Sequence, residues 1–141
     1  MKIFLDTNII LDMMEPKRPS YIASATLFDL ARTKKIEMFV TTQSIVDSYY
    51  IGKKLSVPRA EMDNLMLWLL DNINVRCIDG FNMRDAILDK NPDIEDNAQV
   101  AMADDCGCDF FITNDRELID KHSESLCTFL MPGQLVERLM Q

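Results

Sequence analysis

The chain has 141 residues, of which 48% are hydrophobic and 27% charged, and it carries a formal net charge of −8 at pH 7. That length suits one domain, 1–141, able to bury a core without disulfides or a structural metal, and no stretch approaches the roughly 20 apolar residues of a membrane span. The acidic balance argues against a broad electrostatic grip on nucleic acid, which depends on placed Lys and Arg. The exception would be negative charge concentrated at a site where divalent ions invert the local sign.

Lys2–Leu5 reads as a short buried strand that meets Asp6-Thr7-Asn8, three residues able to accept hydrogen bonds from the free N–H groups of a helix start. With an acid after only three apolar residues, this N-terminus cannot serve as the apolar segment of a signal peptide, so a cytoplasmic location is expected. Pro16 to Pro19 forms a connector, and Ser20 could cap a helix carrying Ile22, Ala25, Leu27, Leu30 and Ala31. Met38–Thr41 is the second strand; Thr42 or Ser44 then begins a helix with Asp47 about one turn in. After the Ser56–Pro58 connector, Pro58 suits the first turn of a helix carrying Met62, Leu65, Met66 and Leu69. Val75–Ile78 is the third strand, and Asn91–Pro92 separates it from a helix in which Asp93 caps and Asp96 stands at the third position. Phe110–Thr113 is the fourth strand, Asp115 could cap a helix through Leu118, and Cys127–Leu130 is the fifth strand.

Strands alternating with helices imply an α/β fold with a largely parallel sheet of about five strands covered on both faces, a three-layer α/β/α arrangement. In such sheets ligands bind beyond the carboxyl ends of the strands. Asp6 and Asp115 directly follow strands, and Asp47 and Asp96 lie on helices entered from nearby loops, so all four acids can reach one sheet edge. Each alone has a plain alternative as a helix cap or as a first-turn acid complementing the helix dipole. Cys77, Cys106, Cys108 and Cys127 show no pair with the two-residue gap of a zinc or redox motif, and Cys77 and Cys127, lying in apolar runs, are expected to be buried. His122, the only histidine, lies in a polar stretch and is expected at the surface, which leaves a His-dependent triad without a well-placed base.

The order and context of the four acids resemble the PIN-domain nucleases, notably the VapC-like toxins of type II toxin–antitoxin pairs, over essentially the whole chain. Phe4-Leu5-Asp6-Thr7-Asn8 resembles that family's first motif, and Thr41-Thr42-Gln43-Ser44-Ile45-Val46-Asp47 its second, where the usual acid is Glu and this chain has the shorter Asp47. Glu95-Asp96-Asn97-Ala98-Gln99 resembles the third and Ile112-Thr113-Asn114-Asp115 the fourth. The resemblance implies a PIN-like fold and a catalytic set of Asp6, Asp47, Asp96 and Asp115. Asp6, Asp96 and Asp115 would be ligands to Mg²⁺ or Mn²⁺, supported by Asn8, Glu95, Thr113 and Asn114. It further implies hydrolysis of RNA to a 5′-phosphate and a 3′-hydroxyl, with a protein antitoxin as partner.

Open acidic sites of this kind suit hard divalent cations that keep some of their waters. Lys53, Lys54 and Arg116 are the candidate RNA contacts, with Lys17, Arg18 and Arg59 also in or beside loops; solvated surface charge is the competing reading. Tyr49 and Tyr50 could stack on unpaired bases, or one could pack inside. The ten Met residues suit core filling or an adaptable surface for an antitoxin or a second copy of the chain. Single-stranded or loop RNA is the expected substrate. A catalytically weak or inactive PIN-like binding module and a structure-specific DNA nuclease are the alternatives, separable by metal-dependent cleavage of RNA beside flapped DNA.

Overall fold

The computed structural model describes residues 1–122 and 124–141. Five strands, β1 (Lys2–Leu5), β2 (Glu37–Thr41), β3 (Asn74–Arg76), β4 (Phe110–Ile112) and β5 (Thr128–Leu130), alternate with helices α1 (Thr7–Met14), α2 (Tyr21–Arg32), α3 (Thr42–Lys54), α4 (Arg59–Asn72), α5 (Gly80–Leu88), α6 (Ile94–Asp105), α7 (Arg116–Lys121) and α8 (Pro132–Leu139). The strands form one sheet in the order β3-β2-β1-β4-β5, and every pairing is parallel. This is the three-layer α/β/α architecture expected from the alternation of strand and helix.

The side-chain period of two explains how one sheet serves two cores. Ile3 and Leu5 of β1, Met38 and Val40 of β2 and Ile112 of β4 face a core shared with α1, α2, α4 and α8. The residues between them, Phe4, Phe39, Phe111 and Phe129, face a second core with α6 and α7. On that face Phe4 stacks on Phe111 at 5.4 Å between ring centroids and Phe111 on Phe129 at 4.8 Å. Both faces are buried, so these strands read as unbroken apolar runs instead of alternating ones.

Gly52 of α3 lies so close to neighbouring helices that a Cβ there would stand 2.5 Å from Met62 Sδ and 3.2 Å from Met14 Sδ. Glycine thus lets α3 settle against α1 and α4. The connectors expected at Pro16–Pro19, Ser56–Pro58 and Asn91–Pro92 each separate two helices.

Several local expectations are corrected. The third strand spans Asn74–Arg76, because β3 is an edge strand whose ladder with β2 ends at Thr41 and Arg76. Cys77 therefore falls beyond it and is exposed, whereas Cys127 is buried as expected. His122 is buried, not superficial: its ring stacks on Phe129, and its Nε2 lies 3.0 Å from Asn91 Nδ2. Burial pushes its pKa below the usual histidine value. Ser20 makes no side-chain capping bond to α2 and Pro58 stands just outside α4, whereas α3 begins at Thr42 as expected, capped by Thr41, the last residue of β2.

Candidate active site

The order β3-β2-β1-β4-β5 reverses direction between β1 and β4, because the chain builds outward from β1 on one side and from β4 on the other. A crevice beyond the carboxyl ends of strands flanking such a switch point is where open α/β sheets bind ligands. Asp6 leaves β1 and caps α1; Asp115 leaves β4 and caps α7, accepting the Glu117 N–H at 3.0 Å. Asp96 lies in the first turn of α6, whose cap Asp93 accepts the Asp96 N–H at 3.0 Å. Three helix N-termini thus carry acids at one edge, and their dipoles favour negative charge there. The capping roles are real and coexist with the clustering.

Asp6 is buried and held from both carboxylate oxygens. Oδ1 accepts the Thr7 N–H at 2.7 Å and Gln99 Nε2 at 3.3 Å; Oδ2 accepts the Thr113 hydroxyl at 2.7 Å and Asn8 Nδ2 at 3.1 Å. Burial nevertheless pushes its pKa up, against the lowering pull of the Thr113, Thr7 and Gln99 donors, and the Asp115 charge adds to the rise. Asp96 is pushed to about 7, first by burial and then by the charges of Asp6, Asp93 and Asp115. Glu95 is raised by burial and by Asp47, Asp6 and Asp93. Like charges gathered at a partly dry edge produce this pattern, and no Lys or Arg among the described residues forms an ion pair with Asp6, Asp96 or Asp115.

The supporting residues form a lattice beneath the acids. Asn8 Nδ2 reaches both Asp6 and Thr113, while Asn8 Oδ1 accepts the Asn114 N–H at 3.1 Å. The Thr113 hydroxyl also accepts the Asp115 N–H at 3.0 Å, tying the turn after β4 to the acid after β1. Three side chains that the motifs did not single out complete the lattice. Gln99 follows Asp96 by three positions on α6 and so shares its face; Ser44 precedes Asp47 by three on α3 and lies 2.8 Å from the Thr7 hydroxyl. Asp12 of α1, fully buried, accepts Arg18 Nε at 2.8 Å, the Ser24 hydroxyl at 2.6 Å and Asn114 Nδ2 at 3.0 and 3.2 Å.

Asp47 lies in the second turn of α3. Its Oδ1 accepts Gln43 Nε2 at 2.8 Å, and its charge acts on Glu95. Arg116, first residue of α7, is exposed beside Asp115. Lys53 and Lys54 end α3, roughly 14 Å along the helix axis from Ser44 at 1.5 Å per residue; Lys54 Nζ lies 4.3 Å from the Tyr50 ring centroid. Tyr49 packs inward, its hydroxyl on Asp63 at 2.7 Å with Arg59 over its ring, while Tyr50 is exposed.

The donor set is all oxygen, which suits Mg²⁺ or Mn²⁺ over softer ions. Among the described residues no group of three or more Asp, Glu, His or Cys side chains is disposed to hold a metal ion. Asp6, Asp96 and Asp115 would therefore hold a cation only together with water and a substrate phosphate. No helix of the described residues is long and apolar enough to cross a membrane.

Residues 2–117 match the family model of the PIN domain. Ribonuclease VapC1 of Aquifex aeolicus (strain VF5) is 24% identical over 135 residues, covering 90% of both chains. In fold, the chain is similar to the sarcin–ricin-loop-cleaving toxin VapC20 of Mycobacterium tuberculosis, with a TM-score of 0.67, 11% identity, and 82% of this chain and 92% of that one covered. It is likewise similar to VapBC2 of Rickettsia felis, solved bound to a DNA fragment from their promoter, with a TM-score of 0.68, 14% identity, and 93% and 98% covered. With its acids at the switch point and this match over most of its length, the chain belongs to the PIN-domain family.

Proposed function

We propose that the protein is a divalent-metal-dependent endoribonuclease acting on single-stranded or loop RNA, the toxin of a toxin–antitoxin pair. The observation that carries this reading is the placement of Asp6, Asp96 and Asp115 at the starts of α1, α6 and α7, around the switch point between β1 and β4. The ribonuclease VapC1 and the toxin VapC20 among its relatives support RNA as substrate.

Asp6, Asp96 and Asp115 would hold Mg²⁺ or Mn²⁺, with Glu95 and Asp47 at the margin. The bound cation would supply Lewis-acid polarisation of a phosphoryl oxygen and acidification of the attacking water. The protein's own contribution is orientation. Thr113, Asn8 and Gln99 fix the Asp6 carboxylate, and the Thr113 hydroxyl places Asp115. A preorganised first acid limits rearrangement when the phosphate arrives. The test is cleavage of an unpaired RNA with Mg²⁺ or Mn²⁺ against EDTA. Metal-independent cleavage, or none under any of these conditions, would sink the reading.

Binding of the strand should depend on few cations, so its log affinity should fall only shallowly with log salt, by about 0.7 per phosphate contact. Arg116 lies at the acids, whereas an RNA must run along α3 to meet Lys53 and Lys54. Arg116→Ala is therefore expected to reduce the slope of log affinity against log salt by about one, and Lys53 and Lys54 changed together to Ala to reduce it less. A larger effect of the double variant would place the strand along α3. The VapBC2 relative supports an antitoxin as partner. Leu67 and Leu70 of α4, more than half exposed, offer apolar surface for it or for a second copy.

A further inference from the structure

Beside the acids lies a cavity of about 440 Å³ between the start of α3, α5 and the start of α6, within the range of small-ligand pockets, about 300–1,000 Å³. Ile78, Met83, Ile94 and Ala98 supply an apolar lining, and the polar groups are Gln43, Asp47 and Glu95 together with the hydroxyls of Thr41, Thr42 and Ser44. Gln99 lines the same cavity and donates to Asp6 Oδ1 at 3.3 Å, so a single side chain separates the cavity from Asp6. A nucleotide whose phosphate lies at Asp6 therefore has a place for its base next door. Flat bases bind against apolar side chains, and a thioether such as that of Met83 adapts to a ring face.

The Thr41 and Ser44 hydroxyls bond to one another, and Ser44 also to Thr7 and Gln99, so apart from the Thr42 hydroxyl the groups left for a ligand are those of Gln43, Asp47 and Glu95. A carboxylate can only accept, so the bond from Gln43 Nε2 to Asp47 Oδ1 at 2.8 Å fixes which way the amide turns and leaves Gln43 Oε1 as an acceptor. The carboxylates of Asp47 and Glu95 accept as well. Guanine presents two neighbouring donors, N1–H and the N2 amino group, on its Watson–Crick edge. Adenine and cytosine present one amino group beside a ring nitrogen that itself accepts, and uracil one N–H between two carbonyl oxygens. We propose that this cavity is a nucleobase pocket that takes guanine from the RNA strand, with Gln43 as a specificity-determining residue. The proposal rests on the ribonuclease reading above and names what that site reads.

The test has two arms. In the first, an unstructured oligouridine carrying one guanosine, inosine, adenosine or cytidine is cleaved in Mn²⁺ under single-turnover conditions. Cleavage beside guanosine is expected to exceed that beside adenosine by about tenfold or more, as a good paired contact to a base edge commonly provides. Inosine, which lacks the N2 amino group, should fall between them. Gln43→Met, similar in length but without the amide acceptor, should reduce the guanosine-to-adenosine ratio at least threefold. In the second arm, guanosine is titrated into the wild-type protein, and the amide NMR signals of Gln43, Ile94 and Ala98 should move more than they do with adenosine. Cleavage at equal rates beside guanosine and adenosine, a guanosine preference unaltered by Gln43→Met, or equal NMR responses to the two nucleosides would overturn the pocket. Selective guanosine shifts without cleavage of any RNA would overturn the nuclease reading and leave the pocket standing.

Discussion

Asp6→Asn is expected to lower metal-dependent RNA cleavage at least a hundredfold while the fold persists. Partners of metal ligands are commonly worth about 10–100-fold, and a ligand at least as much. Asn preserves the volume of the Asp6 side chain and can still accept at one oxygen, so the Thr7 N–H at the start of α1 need not lose its partner. Thermal melts separate the charge from the cap. The folded pKa of Asp6 is raised, so its ionised form opposes folding near pH 7.5; removing that charge offsets the loss at the second oxygen, where Thr113 can turn its hydroxyl but Asn8 loses its acceptor, and the Asn variant should melt close to wild type in EDTA. Metal at roughly a hundred times its dissociation constant should add about 2.7 kcal/mol to wild type and little to the variant. The pH course of the metal-free wild type follows from Asp96, raised from 3.8 to about 7. The native state holds that proton more tightly than the unfolded chain, so the contribution is full below about pH 4 and is lost as pH rises towards 7. If wild type gains nothing from Mn²⁺, and Asp6→Asn loses roughly 0.5–2 kcal/mol in both buffers, the acid serves only as a helix cap.

The strands were legible in the sequence because a parallel sheet covered on both faces demands short unbroken apolar runs, and Lys2–Leu5 or Phe110–Thr113 could hardly be read otherwise. The positions of Asp6, Asp96 and Asp115 at strand ends and helix starts were legible from local spacing, which fits helix caps equally well; their role as ligands was implied only by the family resemblance. Helix α5 was not, since Phe81, Ile87 and Leu88 are largely exposed and leave no apolar stripe facing a core. His122 and Cys77 were misjudged for a related reason: their burial depends on which element covers them, and neighbours in sequence do not reveal that. Gln99 and Ser44 carried a faint signal in their three-residue spacing from Asp96 and Asp47, but only the fold shows that their faces meet across Asp6 and Thr7. Lys53 and Lys54 looked adjacent to the Asp47 motif in sequence, yet a helix converts that separation into distance from the acids.

Asp12 was the least legible of the residues that matter, a single acid between Leu11 and Met13 with no motif around it, and its replacement should have the largest effect on stability. Its carboxylate is fully buried and gathers Arg18 from the loop after α1, Ser24 from α2 and Asn114 from the turn after β4. Asp12→Ala leaves the Ser24 hydroxyl and the Asn114 amide without this acceptor and frees Arg18, which is partly exposed and can turn to water. Removing one partner from a buried charged network typically costs about 3–5 kcal/mol. Asp12→Asn, which keeps the volume and one acceptor, should cost less, about 1–3 kcal/mol for the donors left unpaired. The loss should reach the active site as well. Asn114 is held by Asp12 through its side chain and by Asn8 through its backbone, and Asn8 in turn donates to Asp6. With its amide freed, the turn that carries Thr113 and Asp115 should loosen, and cleavage at a temperature where the variant remains folded should fall further than its folded fraction accounts for. Urea unfolding of wild type, Asp12→Ala and Asp12→Asn measures the first effect, and cleavage at matched folded fraction measures the second. A loss below about 1 kcal/mol for Asp12→Ala would show that water replaces the network at little cost; full activity in a strongly destabilised variant would show that the turn after β4 holds its place without Asp12.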